Sequence, residues 1–211
     1  MPKEYRFNTA ITYGTLVESA ERGGQTYKTV TIGVGENKQT WMAENLNYYD
    51  ETLDGQSWCF GSKNSETTEK CAVTGRFYTW SAAIGKSQCG YGALCMFDGS
   101  RIQGICPDGW HLPTIGEWKV LFSNVGGQDN AANVLKSKTG WRLNNNGADS
   151  FGFSALPAGV NRSYNLGLQA SFWSSTQIGA QSSYGIYLYL DEVVISDYDK
   201  YYGQSVRCVK D

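Results

Sequence analysis

The spacing of apolar and polar positions changes character along this chain. From Gln25 to Asn47 it has the period of two that belongs to strands. Tyr27-Lys28-Thr29-Val30-Thr31-Ile32 is alternating and rich in β-branched residues, Gly33-Val34-Gly35-Glu36-Asn37-Lys38 turns the chain, and Gln39-Thr40-Trp41-Met42-Ala43 returns, which predicts a hairpin. Residues 50–75 are polar and turn-rich. Over about 77–85 the spacing becomes helical, with Trp80, Ala83 and Ile84 at i, i+3 and i+4. The strongest helix signal comes next: Thr114-Ile115-Gly116-Glu117 is a capping box, in which each side chain satisfies an orphan amide of the other. Trp118, Leu121, Phe122 and Val125 follow on one face, and Gly126-Gly127 ends the helix. Ala132, Val134 and Leu135 predict a further helix near 129–137. Beyond Trp141 the pattern reads as short β runs separated by Gly, Asn and Ser. Helices in the middle with strands at both ends define an α+β domain whose termini lie close together.

A chain of 211 residues buries roughly 70% of its unfolded surface, so it has a core without help from cross-links. With 25 glycines, 14% aromatic and 18% charged residues, it is globular and loop-rich rather than disordered. The net charge of −2 and the absence of any Lys/Arg stripe exclude a nucleic-acid partner held by counterion release. No segment approaches the roughly 20 apolar residues of a membrane span. The six cysteines are even in number, none has the C-x2-C spacing of a zinc site, and there is one histidine. They read as three disulfides formed in an oxidising compartment. Neighbour pairing gives Cys59–Cys71 and Cys89–Cys95, leaving Cys106–Cys208 to tie the middle of the chain to its end. Met1-Pro2-Lys3-Glu4-Tyr5-Arg6-Phe7 has no apolar h-region, so a secreted or cell-surface location implies a signal already removed or another export route.

Catalytic chemistry is poorly supplied. His111, between Trp110 and Leu112, has no identifiable nucleophile or orienting acid, and reads as a structural, hydrogen-bonded side chain. Asp191, Glu192, Asp197 and Asp199 look like carboxylates of a solvated face rather than a desolvated acid/base pair. Cys89 and Cys95 flank a Gly-Tyr-Gly turn that favours a static bridge over a redox pair. Asn144, Asn145, Asn146 and Asp149 supply oxygens that calcium could use, but Asn-Asn-Asn-Gly is first a turn signal. No phosphate loop or dinucleotide fingerprint is present. No metal or cofactor is expected.

Six of the 14 tyrosines fall between Tyr184 and Tyr202, interleaved with Ser, Asp, Ile and Val. Tyrosine pairs an apolar ring with a hydrogen-bonding tip and few torsions to freeze. Its clustering with Ser and Asp is the composition of a recognition surface, or equally of strand edges packing on a small β-domain.

Several frames are recognisable. They are Tyr27 to Gly33 (YKTVTIG), Thr40 to Asn47 (TWMAENLN), Cys89 to Gly92 (CGYG) and Cys106 to Thr114 (CPDGWHLPT). Asp149 to Gly159 (DSFGFSALPAG), Phe172 to Thr176 (FWSST) and Ser205 to Asp211 (SVRCVKD) complete them. From about Gly24 to its last residue the chain resembles the major paralogous domain first noted in Fibrobacter succinogenes, with 1–23 as an N-terminal extension or first strand. The resemblance implies a single domain of C-type-lectin-like fold, in the branch shared with formylglycine-generating sulfatase-modifying enzymes and with variable proteins of diversity-generating retroelements. It implies an exported protein of a bacterial surface, non-enzymatic, binding a protein or a cell-wall polysaccharide; the alternatives are a structural surface or assembly domain and an enzyme of the formylglycine branch. Calcium-dependent lectins use Glu-Pro-Asn or Gln-Pro-Asp with Trp-Asn-Asp, whereas this chain has Leu156-Pro157-Ala158 and no Trp-Asn-Asp. The formylglycine enzymes need a reactive Cys pair late in the domain, and here only Cys208 follows Cys106. In the variable proteins, adenine-directed mutation of Asn codons yields Tyr, Asp, Ser, Ile, Val or Leu. Tyr187, Val194, Ile195, Ser196, Tyr198, Asp199, Tyr201 and Tyr202 belong to that set; Glu192 and Gln204 do not. The expected ligand surface spans 160–204, with Tyr164, Tyr187, Tyr189, Tyr198, Tyr201 and Tyr202 as anchors. Asn161, Asn165, Asp197, Asp199 and Gln204 are its polar contacts, and Trp173, Val206 and Cys208 the core beneath.

Overall fold

The computed structural model describes residues 6–60, 68–97, 101–161 and 164–211. Strands β1 (Gly14–Val17), β2 (Thr26–Ile32) and β3 (Gln39–Met42) open the chain. β2 and β3 form the expected hairpin, with Val30 opposite Trp41. β1 pairs antiparallel with β2, and Phe7 before it joins the core, so the described part of the N-terminal stretch, from residue 6 on, is built into the same body. β10 (Val209–Lys210) lies between β3 and β6 (Trp110–His111), completing a sheet in the order β1-β2-β3-β10-β6. The last strand thus inserts among the earliest ones.

β4 (Ser57–Trp58) pairs with β5 (Phe77–Tyr78), and α1 (Thr68–Thr74) lies between them in sequence. The helix expected over 77–85 is the single turn α2 (Trp80–Ala83). Thr79 is the reason: its side chain accepts a hydrogen bond from the Ala82 amide, so the helix begins after it, while Phe77 and Tyr78 stay extended. α3 (Ile115–Asn124) starts on the expected Thr114/Glu117 capping box. α4 (Gln128–Leu135) stops two residues short of expectation, because Lys136 turns extended and bridges to Ala155.

The short strands expected beyond Trp141 are instead a meander of three long ones. These are β7 (Gln169–Gln177), β8 (Ser182–Tyr189) and β9 (Glu192–Asp199). β8 and β9 are joined by Leu190-Asp191 alone, with Leu190 at φ 49°, a position that normally takes glycine. Lys136, fully buried, donates from Nζ to the Leu190 carbonyl at 2.6 Å and to Asn145 Oδ1 at 2.5 Å, and so fastens that turn from below. Asn145 also donates to Asp191, Asn146 accepts from the Trp141 amide, and Asp149 accepts from Ser154. The Asn-rich stretch therefore ties turns together.

Two apolar clusters make up most of the core. In the first, Trp41 and Trp118 rings lie 4.7 Å apart, with Phe153, Phe172, Leu121, Leu135, Ile186 and Leu188 around them. The second gathers Trp80, Trp173, Tyr78, Met42, Val206 and both sulfurs of Cys106–Cys208. The disulfides are Cys59–Cys71, Cys89–Cys95 and Cys106–Cys208, as the spacing predicts. Segment 204–208 stitches the layers, bonding through its backbone to Tyr78, Trp173, Leu46 and Met42. Arg207 is buried within it. Its guanidinium donates to Asn45 Oδ1 and to the carbonyls of Met42, Phe153 and Ser154, and lies 4.4 Å from the Phe153 ring centre. Among the described residues no helix is long and apolar enough to cross a membrane.

Candidate functional site

Alternation along β7, β8 and β9 sorts their side chains onto two faces. Ala170, Phe172, Ile186, Leu188 and Val193 point inward to the first core cluster, and α4 covers them, with Gln128 donating to the Val193 carbonyl. The opposite face is set by register. Gln169 sits beside Tyr189, Ser171 beside Tyr187 and then Val194, Gly185 beside Ser196, and Ser183 beside Tyr198. This outer face carries the tyrosines.

Tyr198 is its hub. The ring meets those of Tyr187 and Tyr202 edge-on at 6.3 Å, and that of the buried Trp173 at 6.2 Å. Trp173 is in turn fixed by donating to the Tyr78 carbonyl at 2.8 Å. Burial, then the neighbouring Tyr187, pushes the Tyr198 phenol above its ordinary range, so it is a neutral hydroxyl at any physiological pH. Tyr202 leads on to Tyr201 at 5.0 Å, and Tyr201 to Tyr91 at 5.2 Å. Asp199 accepts from the Tyr201 hydroxyl, pushing that phenol up to about 12.

Two adjoining hollows open on this face. One, of about 400 Å³, is lined by Val160, Tyr164, Asp197, Tyr198, Asp199 and Tyr202. The other, of about 360 Å³, shares Val160, Tyr164 and Tyr198, and adds Asn165, Gln169, Tyr187, Tyr189 and Ser196. Eight of the eleven residues expected from the sequence are thus brought together. Tyr201 lies beside them, 51% exposed, and Tyr164 is the most exposed anchor at 70%. Asn161, at φ 53°, shapes the rim, its amide donating to the Gly203 carbonyl. Gln204 is a correction. It is completely buried, with its amide packed against Gly185 and Tyr198, and cannot be a surface contact. A Cβ on Gly185 would lie 2.7 Å from Gln204 Nε2, so glycine there is what lets Gln204 sit under the tyrosine hub.

Sequence reasoning did not name Val160, Gln169 or Tyr91 as contacts, and gave Ser196 only as a position compatible with diversification. Gln169 and Ser196 were legible in principle as polar members of alternating runs. Tyr91 depends on a long-range clamp. Gln177 bonds both the amide and the carbonyl of Cys95, and the buried Lys200 donates to Ala93 O and Gln177 Oε1. Together they press the Cys89–Cys95 loop onto the sheet beside Tyr201. An apolar cleft of about 300 Å³ around Leu156, Pro157 and Leu166 lies apart from this face, and one of its two arginines, Arg6, is spent on Glu44 at 3.0 Å.

His111 is elsewhere, buried and bracketed by carboxylates: Nε2 to Glu117 at 2.7 Å and Nδ1 to Asp211 at 2.6 Å. Both ring nitrogens are engaged, which leaves none to take a substrate proton. Burial alone would lower its pKa, but the hydrogen bonds and charges of Glu117 and Asp211 outweigh that and hold it above the ordinary value. Burial likewise raises Glu117, yet the bonds from His111 and Thr114 leave its pKa lowered. A raised histidine stabilises fully below about 6.5 and loses that contribution as pH rises through its folded pKa. A depressed glutamate stabilises above about 4.5 and loses it as pH falls. The cluster is therefore at its best between those values. Urea midpoints measured at pH 6 and pH 9 are expected to fall toward alkaline pH in the parent, and to fall less in His111→Gln; equal slopes in the two would refute this account.

A family model described as the Fibrobacter succinogenes major domain matches residues 34–210, and the chain belongs to that family. The match starts within the β2–β3 hairpin and takes in both hollows, so the tyrosine face is part of the family domain. No curated protein and no solved structure matches the chain.

Proposed function

We propose that this domain is a non-enzymatic ligand-binding module of an exported bacterial surface protein, and that the tyrosine face of β8 and β9 is its ligand surface. The observation that carries this reading is the convergence of Tyr164, Tyr187, Tyr189, Tyr198 and Tyr202 on two adjoining hollows, over a fully packed Trp173. Aromatic anchors on a rigid support lose little entropy on binding. The three disulfides fit an oxidising compartment, and with all six cysteines so engaged none supplies the thiol that formylglycine chemistry requires. The architecture, with antiparallel sheets and few helices stapled by a disulfide near the chain end, is in keeping with a C-type-lectin-like fold. Of the positions compatible with retroelement diversification, Tyr187, Val194, Ser196 and Tyr198 share the outer face, whereas Ile195 packs against the core. Variation by that route would be confined to the former set.

The ligand is a protein or a cell-wall polysaccharide. A glycan array and a surface-protein panel identify it, and calorimetry on Tyr201→Ala and Tyr202→Ala locates it. Each variant is expected to weaken binding about tenfold, the cost of one buried aromatic anchor. Unchanged affinity in both would remove the ligand from this face.

A further inference from the structure

Among the described residues two lysines are fully buried, and each faces a side-chain amide. Lys200 Nζ donates to Gln177 Oε1, and that amide's nitrogen donates to the Cys95 carbonyl, an oxygen that takes up no proton. Lys136 differs in what stands behind its amide. Its Nζ lies 2.5 Å from Asn145 Oδ1, and Asn145 Nδ2 donates to Asp191 Oδ1 at 2.9 Å. The same carboxylate oxygen is 3.8 Å from Lys136 Nζ. A lysine only donates and a carboxylate only accepts, so these two neighbours fix which end of the amide faces which. An amine, a carboxamide and a proton carrier thus meet at one point.

The chain is shaped to bring them there. The Gly147 amide donates to the Ser137 carbonyl, folding the Asn-rich stretch back over Lys136. A Cβ on Gly147 would stand 2.5 Å from the Lys136 Cβ, so glycine is a condition of that approach. The Trp141 ring centre, 4.9 Å from Nζ, walls a further side. Solvent is reached past Asp191, whose side chain is 85% exposed against 1% for Lys136. Burial holds the Lys136 pKa below its ordinary value, against the opposing charge of Asp191. A desolvated lysine of this kind is an activated nucleophile.

We propose that Lys136 and Asn145 join in an intramolecular isopeptide bond, with Asp191 as the proton carrier. The neutral Nζ attacks Asn145 Cγ and forms the new N–C bond. Asp191 takes a proton from Nζ and passes it to Nδ2, the Cγ–Nδ2 bond breaks, and ammonia leaves past the exposed carboxylate. An amine and a primary amide become a secondary amide and ammonia, with no change of oxidation state. The product removes a charge from a buried site. Its remaining N–H can still donate to the Leu190 carbonyl, so the β8–β9 turn stays fastened. The bond is independent of the ligand assigned to the tyrosine face.

The intact mass of the denatured parent tests this. It is expected about 17 Da below that of the chain with its three disulfides, the mass of one ammonia. After trypsin, the peptide holding residue 136 should be joined to the one holding residue 145, while Lys200 should be joined to nothing. Lys136→Met and Asn145→Ala should each show the full mass of their own sequence. Asp191→Asn, which alters only an exposed side chain and so leaves folding intact, should carry the link in a minor fraction of molecules. A cyclic imide closed by Asn145 on its own backbone would also release ammonia, but it yields no branched peptide and persists in Lys136→Met. Full mass in the parent, or lost mass without the branched peptide, overturns the proposal. A link as complete in Asp191→Asn as in the parent overturns the role of Asp191.

Discussion

Replacing both Cys106 and Cys208 by alanine is expected to lower the stability of this domain by roughly 4–5 kcal/mol in guanidinium unfolding. The bridge spans 102 residues, and neither of the other disulfides lies within that loop, so its loss releases the whole second half of the unfolded chain. In the folded protein both sulfurs are buried beside Met42, Val206 and Trp110, and the alanines leave a small void there as well. Segment 204–208 would feel the change first, since it carries the backbone bonds that join the two large sheets. A loss below about 1 kcal/mol would mean that packing alone fixes the segment and that the unfolded ensemble is already compact.

Arg207→Met is expected to cost about 3–5 kcal/mol, with aggregation on expression as the in vivo counterpart. The methionine fills most of the volume, so the effect isolates the guanidinium. Carbonyls of Met42, Phe153 and Ser154 and the Asn45 side chain would lose their donor in a place water does not reach. Arg207→Lys should recover only a minor part, because a single ammonium cannot reach acceptors spread around a planar fork. Thermal and denaturant midpoints of the two variants decide it; a lysine variant as stable as the parent would show that charge and not geometry is what the site needs.

The parts of this fold that the sequence disclosed are those governed by neighbours. The β2–β3 hairpin follows from β-branched alternation around Gly33 and Gly35, and α3 from a capping box followed by Trp118, Leu121 and Phe122 on one face. The disulfide partners followed from spacing. What stayed hidden depends on residues far apart. Nothing local marks Leu190-Asp191 as a hairpin turn; Lys136, more than fifty residues earlier, makes it one. Phe77 and Tyr78 read as helix until Ser57 and Trp58 are placed beside them. At the site, tyrosine clustering named the surface, yet it could not tell Gln204 from its exposed neighbours. Gly185, whose missing side chain makes room for that amide, settles the question only once strands are registered.

The two-residue turn and the ladder of β8 on β9 also limit how this surface can change over time. Every second residue from Tyr187 to Tyr189 and from Val194 to Tyr198 faces outward, and Leu188, Val193 and Ile195 face the first core cluster. A single inserted or deleted residue would exchange the two sets, carrying Tyr198 inward and Val193 or Ile195 into solvent. Substitution at Tyr187, Tyr189, Val194 and Ser196 leaves the first core cluster untouched, whereas Tyr198 also packs on Trp173 of the second. Descendants of this domain can therefore acquire new partners by exchanging side chains at fixed strand length, whereas insertions are tolerated only in the loops beyond the ladder.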